Sequence, residues 1–229
     1  MRFLSPPSRC EYLPDRPWQL EYELVWRLAP AEYMDRLHEG WRRMGSALFR
    51  PACDSCRMCQ SLRVQVRSFH PARTQARVWK MNRGAITLNI GTPTVTLARQ
   101  HLFAKFHRFQ HHAKQWPVRD ADEMKSFTDN PYPTQEWAYS IDDRLVGLGY
   151  VDQLPDGLSA VYFFHDPDER RRSLGTFNVL SIIARARELN LPYVYLGYYV
   201  EGCRSLEYKA RFRPNEILRA DGAWTPFVA

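Results

Sequence analysis

The stretch from Asp156 to Tyr199 constrains the fold more than any other part of the chain. It reads Asp-Gly-Leu-Ser-Ala-Val-Tyr-Phe-Phe-His-Asp-Pro, then Asp-Glu-Arg-Arg-Arg-Ser-Leu-Gly-Thr-Phe, then an apolar run, then Tyr-Val-Tyr-Leu-Gly-Tyr-Tyr. The aromatic and β-branched residues from Leu158 to His165 predict a buried strand. Pro167 and the charged run Asp168 to Arg172 end it. From Gly175 onward, Val179, Leu180, Ile183 and Ala186 recur at helical spacing, and Asn190 and Pro192 stop that helix. Tyr193 to Tyr199 is a second β-rich run. A helix that starts on a glycine beside Arg170, Arg171 and Arg172 has a physical use. Its first N–H groups are unpaired, its dipole end is positive, and glycine lets an anion reach the backbone. A phosphate is the natural guest. The plainer reading of the same residues is a solvated charged turn.

The flanking segments supply more strands and basic helices. Glu136 to Ile141, Leu145 to Asp152 and Leu158 to His165 read as an antiparallel meander, with turns at Asp142-Asp143-Arg144 and Pro155-Asp156-Gly157. Ala98 to Gln115 reads as a helix with Leu102, Phe106, Phe109 and Ala113 as its buried stripe, broken by Trp116-Pro117. Arg73 to Arg83 interleaves basic and aromatic residues, a pattern that grips phosphate and stacks on bases, or lies as a solvated basic helix. Leu62 to Val66, Ile86 to Ile90 and Thr94 to Leu97 read as short strands. Pro30 starts a helix whose core face is Tyr33, Met34, Leu37, Trp41 and Met44, with Gly45 as the stop. Residues 1–29 read as an irregular or extended lead-in. The tail from Arg204 to Arg213 is a dense basic run.

Charge and cysteine usage limit the partners. The 229 residues carry a net charge of +7 and a pI near 9.3, which favours an anionic partner such as nucleic acid. No apolar run is long enough for a membrane span, and no apolar signal core follows Pro6, Pro7 and Arg9, so a cytoplasmic, reducing compartment is expected. There, five cysteines suit metal ligation or buried thiols better than disulfides. Cys53, Cys56 and Cys59 stand at Cys-x2-Cys-x2-Cys spacing, which turns several thiolates toward one zinc ion or iron–sulfur cluster, and Cys10 is a candidate fourth ligand. Reduced thiols without a metal are the alternative.

Two resemblances sharpen this picture. Arg172-Ser-Leu-Gly175 after a strand resembles the phosphate loop of the acyl-CoA N-acyltransferase fold, without that loop's last small residue. Further segments, taken together, resemble the arginyl-tRNA–protein transferase family, and its bacterial aspartate/glutamate leucyltransferase branch most closely. They are Cys10-Glu-Tyr-Leu-Pro-Asp-Arg16, Phe49-Arg-Pro-Ala-Cys-Asp-Ser-Cys-Arg-Met-Cys59, Asp156-Gly-Leu-Ser-Ala-Val-Tyr162, Arg172-Ser-Leu-Gly175, Tyr195-Leu-Gly-Tyr198 and Tyr208-Lys-Ala-Arg-Phe-Arg-Pro214. The chain departs from the family at Arg73-Thr-Gln-Ala-Arg77, where the family has Arg-Ser-Gln-Arg-Arg, and at Ser205, where it has lysine.

The resemblance implies an α+β, N-acyltransferase-like mixed sheet flanked by helices, with a small cysteine-containing N-terminal region. Residues 1–84 would be that region and 85–229 the catalytic domain, packed as one unit. The implied reaction moves leucine from leucyl-tRNA to the α-amine of proteins beginning with Asp or Glu, marking them for degradation. An arginine donor with the same acceptors is the alternative, and in the eukaryotic branch the N-terminal cysteines hold an iron–sulfur cluster. Transfer would need no cofactor and no CoA. Arg172, Ser173 and Gly175, with Arg77 and Lys80, are the candidates for binding tRNA. Lys209, Arg211 and Arg204 are the candidates for the acceptor's acidic side chain, and Tyr162, Tyr198 and Tyr208 for catalytic hydrogen bonding. Cys10, Cys53, Cys56 and Cys59 are the candidate metal ligands. A CoA-dependent N-acetyltransferase and a non-enzymatic, metal-stabilised RNA-binding module are the rival readings; a thermal shift with CoA and a transfer assay separate them.

Overall fold

The computed structural model describes residues 1–114, 119 and 121–227. The lead-in is more ordered than its prolines suggest. β1 (Arg2–Leu4) and β4 (Leu20–Leu24) pair in one sheet, and β2 (Ser8–Arg9) and β3 (Pro17–Trp18) form a small ribbon between them. After β4 comes α1 (Pro30–His38), shorter than expected. Gly40 at φ +84 turns the chain, and Arg42–Met44 becomes strand β5, which pairs with β6 (Ala47–Pro51). Trp41 and Met44 sit at helical spacing from Leu37 only by coincidence of period. Trp41 is fully buried, yet it belongs to the turn and stacks under the Arg50 guanidinium at 4.6 Å.

The main sheet has eight strands. It takes β7 (Gln60–Gln65) and β8 (Thr87–Gly91) from the first half of the chain. The second half adds β9 (Thr134–Ile141), β10 (Arg144–Leu154), β11 (Gly157–His165), β12 (Tyr193–Tyr199), β13 (Asn215–Leu218) and β14 (Trp224–Pro226). The order is β14-β13-β7-β12-β11-β10-β9-β8, so β7 lies deep in the sheet between β13 and β12. The expected meander β9-β10-β11 is present, and the β11–β12 pair alone is parallel among the described strands. Thr94 to Leu97 is not a strand; helix α3 (Leu97–Lys114) already begins there. The expected break at Trp116-Pro117 lies outside the described residues.

Helices flank this mixed α+β sheet. α2 (Arg73–Asn82) and α4 (Leu174–Glu188) pack together over one cluster that includes Val78, Phe163, Phe177 and Ile182. α3 packs over another that includes Phe103, Phe106, Tyr150, Tyr162 and Phe164. Phe163 joins the first cluster and its neighbours join the second, as alternation along a strand requires. The stripe of α3 differs from the expected one: Phe109 and Ala113 are exposed, and Phe103 and His107 take the buried positions.

One buried ion pair ties the N-terminal sheet to the main one. Arg43 on β5 meets Asp152 on β10 through Nε and Nη2 at 2.9 and 2.8 Å. Its other protons go to Gly45 O, Asn130 Oδ1 and Thr134 Oγ1 at 2.7–2.8 Å. Tyr33 and Thr134 hydroxyls complete the carboxylate. Every donor has an acceptor, which is the condition under which a buried pair is tolerated at all.

A candidate active site where two strands part

Strands β11 and β12 pair only from Gly157–Ser159 against Tyr193–Tyr195. Beyond that the ladder ends, although β11 runs on to His165 and β12 to Tyr199. Register breaks on both neighbouring ladders coincide with the parting, at Tyr150/Val151 and at Tyr195/Gly197. Because the two strands are parallel, the segments that leave their carboxyl ends emerge on the same edge of the sheet. Carboxyl ends of parallel strands are where ligands bind in open α/β sheets.

The expected anion turn comes directly after β11. Pro167–Arg172 is a short 3-10 helix, Ser173 adopts a left-handed conformation at φ +54, and α4 begins at Leu174. No side chain caps α4, and nothing beyond its own first turn lies within 4 Å of where a Cβ on Gly175 would sit. The backbone there is open to a guest. The arginines are less free than the sequence suggests. Arg172 bonds to Glu169 at 3.0 Å, while Arg170 and Arg171 are exposed.

The basic tail comes after β12, as α5 (Arg204–Glu207) and a 3-10 turn at Tyr208–Arg211. Helix α2 bridges the two turns. Gln75 donates to Arg211 O at 3.1 Å, and Asn82 donates to Arg172 O at 2.8 Å. Those helix positions span two turns, about 10 Å along the axis at roughly 1.5 Å per residue. The face of α2 opposite Gln75, Val78 and Asn82 carries Arg73, Arg77 and Lys80, all exposed. A basic ridge thus runs from one turn to the other. Of the tail residues, Arg204 and Arg211 are exposed, and only Lys209 points inward.

Of the two side chains that fill the parted strands, Lys209 is a candidate from the sequence and Arg42 is not. Arg42, next to the Arg43 of the buried pair, reaches in from β5. It is 6% exposed, and its Nη2 donates to Ala160 O at 2.9 Å and Ser159 Oγ at 3.3 Å. Lys209 Nζ donates to Tyr198 O at 2.8 Å. Between them stands Gly197 at φ +80. The position a Cβ would take there is 3.4 Å from Arg42 Nε, 3.6 Å from Arg42 Nη2 and 3.6 Å from Lys209 Nζ. Among the described residues, neither cation has a carboxylate within salt-bridge distance. Burial, with Arg42 alongside, pushes the Lys209 amine down to about 7, against smaller opposing effects of Cys203 and Cys59.

The three candidate tyrosines lie in three different places. Tyr162, on the free part of β11, bonds to His107 Nε2 at 3.1 Å, and burial pushes its hydroxyl up to about 12. Burial likewise holds the His107 imidazole neutral, down at about 4, with Arg119 adding to the shift. Tyr198 donates to Gly40 O at 2.8 Å, and burial raises it well above its ordinary value. Tyr208 packs against Phe212, and burial pushes it up to about 12. All three are hydrogen-bonding groups at neutral pH, not bases.

Cys10, Cys53, Cys56 and Cys59 are brought together, with Cys203 added from the β12 side. Burial and these four neighbouring thiols push Cys59 up to about 12. The donor chemistry is that of a soft-metal site. The arrangement is not: among the described residues, no three His, Cys, Asp or Glu side chains are placed to hold a metal ion. The cysteine loop instead walls a cleft of about 970 Å³, together with Arg50, Tyr198 and the turn at Leu218–Gly222. No helix among the described residues is long and apolar enough to cross a membrane.

A parted parallel strand pair, an open glycine turn and a basic ridge are features that a phosphate-bearing ligand can use. Comparison with known proteins is more specific. The family described as arginine-tRNA-protein transferase matches in both its parts, the N terminus over residues 8–77 and the C terminus over residues 98–219. The chain belongs to the arginine-tRNA-protein transferase family. Among its relatives, an aspartate/glutamate leucyltransferase of Campylobacter jejuni is 36% identical over 95% of this chain and 92% of its own. The protein of that name from Nitrobacter hamburgensis is 39% identical over 96% and 90%. In solved structures, the C-terminal domain of a putative lysylphosphatidylglycerol synthetase from Agrobacterium fabrum superposes with a TM-score of 0.52 at 14% identity, over 88% of this chain and 64% of that one. That likeness concerns the fold alone.

Proposed function

We propose that this protein transfers leucine from leucyl-tRNA to the α-amine of polypeptides that begin with Asp or Glu, on an N-acyltransferase-like sheet. The observation that carries the reading is similarity along nearly the whole chain to aspartate/glutamate leucyltransferases at 36–39% identity. The aminoacyl ester is already activated, so the chemistry is attack by a neutral amine on a carbonyl, with the ribose hydroxyl leaving. The protein has to position both partners and meet the charge that develops. No covalent intermediate on the protein is required.

In this reading the tRNA 3′ end lies along the parted strands. The open N-terminus of α4, with Arg172, Ser173 and Gly175, meets its phosphate or ribose, and Arg77 and Lys80 on the ridge track its backbone. Lys209, with Arg204 and Arg211 outside it, faces the acidic acceptor. Tyr162 supplies a hydroxyl beside the free part of β11. The cysteine corner takes no part in transfer; its thiols are the right donors for zinc or an iron–sulfur cluster but would have to move together to ligate one, and we propose such a stabilising site, which metal analysis of purified protein tests. The test of the function is a transfer assay with leucyl- and arginyl-tRNA against peptides beginning with Asp, Glu or Ala. Leucine on Asp and Glu alone supports the reading. Transfer of arginine instead moves the protein to the other donor class, and no transfer from either removes the reading.

A further inference from the structure

Buried cations normally find carboxylates, because an unpaired charge away from water is costly. Arg43 obeys that rule fully. Arg42, one residue earlier and almost as buried, does not. Its Nη2 is held by a backbone carbonyl and a serine hydroxyl, which fixes the guanidinium without neutralising it. Lys209, a half-buried residue, is fixed in the same way, by the carbonyl of Tyr198. Three cationic nitrogens then converge on the same face of Gly197, where a side chain at residue 197 would stand against all of them. They lie at 3.4, 3.6 and 3.6 Å from the missing Cβ. The groups acting on Lys209 are Arg42, Cys203 and Cys59, with no carboxylate among them.

We propose that Arg42 and Lys209 form one anion pocket over Gly197 that receives the side-chain carboxylate of the acceptor's first residue, so that Arg42 sets the preference for Asp and Glu. This rests on the transferase reading and adds the residue that would read the acceptor. A carboxylate guest suits a pocket in which the Arg42 guanidinium is always charged and the Lys209 amine takes up its proton as the anion arrives. The carboxylate replaces the absent partner of both cations, and an arginine edge and an ammonium are matched donors for its two oxygens. An uncharged first residue leaves both cations unpaired, which is how a polar site rejects an analogue. Burial first, and then the facing Arg42 with no anion between them, depress the Lys209 amine to about 7.

The experiment measures two things on wild type, Arg42→Gln, Arg42→Lys and Lys209→Gln. The first is fluorescence anisotropy of labelled peptides beginning with Asp or Asn, without tRNA. The second is kcat and KM for the same peptides at saturating leucyl-tRNA. Circular dichroism melting confirms folding of each variant, and a tRNA filter-binding control confirms donor binding. Wild type is expected to bind the Asp peptide and to discriminate against Asn. Arg42→Gln should lose about 100-fold in kcat/KM on Asp, mostly through KM, with the Asp-over-Asn preference collapsing and tRNA binding intact. Arg42→Lys should recover part of that loss. An unchanged Asp-over-Asn preference overturns the proposal. So does an equal fall in kcat on every acceptor with KM unmoved, which would place the pair at the reacting carbonyl instead. If no leucine is transferred at all, the functional reading fails, and the anisotropy ratio still decides the pocket.

Discussion

Two adjacent arginines on β5 lead opposite lives. Arg43 sits in a closed knot with Asp152, Tyr33, Thr134 and Asn130, every donor matched. Arg42 sits in the opening between β11 and β12, held in place and not neutralised. Both are nearly inaccessible, at 3% and 6% exposure. The difference teaches what burial alone does not. A saturated buried cation ties two sheets together, whereas an unsaturated one is kept ready for a partner that arrives from outside.

The comparison can be broken by exchanging the expected phenotypes. Asp152→Asn or Arg43→Ala strands a buried charge or empties its knot, and should cost about 3–5 kcal/mol, read as a fall in the midpoint of urea unfolding. Arg42→Met removes a cation that has no counter-ion, so stability should change by less than about 1 kcal/mol while transfer to acidic acceptors is lost. If Arg42→Met unfolds the protein and Arg43→Ala does not, the assignment of the two residues is wrong.

Titration sharpens the same contrast. Lys209 in the folded protein is near 7, below its ordinary value of 10.5. Between those two pH values the unfolded chain holds a proton that the folded chain has released. The Lys209 contribution to stability therefore rises as pH goes from about 7 toward 10.5, and falls on the way back down. Lys209→Met should flatten that slope in denaturation curves taken across the interval. The knot should contribute none of it, because Asp152 holds the Arg43 guanidinium even more firmly protonated. The smallest expected effect lies on the ridge. Replacing Arg77 and Lys80 together by Gln should weaken tRNA binding several-fold and reduce its salt dependence, with the Asp-over-Asn preference unchanged.

Sequence patterning makes the main frame legible. The run Tyr193–Tyr199 is a strand with those bounds, and the strand, basic turn and helix from Gly157 to Glu188 fall where local signals put them. These elements are long, strongly patterned and punctuated by proline, glycine or asparagine. The N-terminal helix is overextended by the same logic, because Trp41 and Met44 happen to continue a helical period past Gly40. That coincidence hides Arg42 in the middle of an expected helix, when it is in fact the side chain that enters the opening. Nothing local marks it. Its meaning depends on Ser159, Ala160, Gly197 and Lys209, which the chain brings to it from more than a hundred residues away. Lys209 is legible as a cation, but its inward direction is not, since Arg204 and Arg211 share its run and face solvent. The cysteine spacing is legible too, and it brings the thiols together without arranging them as ligands.

A crystal structure of the protein bound to a peptide beginning with Asp tests the central claim most directly. The account predicts the peptide's side-chain carboxylate beside Arg42 Nε and Lys209 Nζ over Gly197, with the α-amine in the opening between β11 and β12. A carboxylate seated elsewhere, such as on Arg50 in the cleft beneath the cysteine loop, with Arg42 and Lys209 still unpaired, would contradict it.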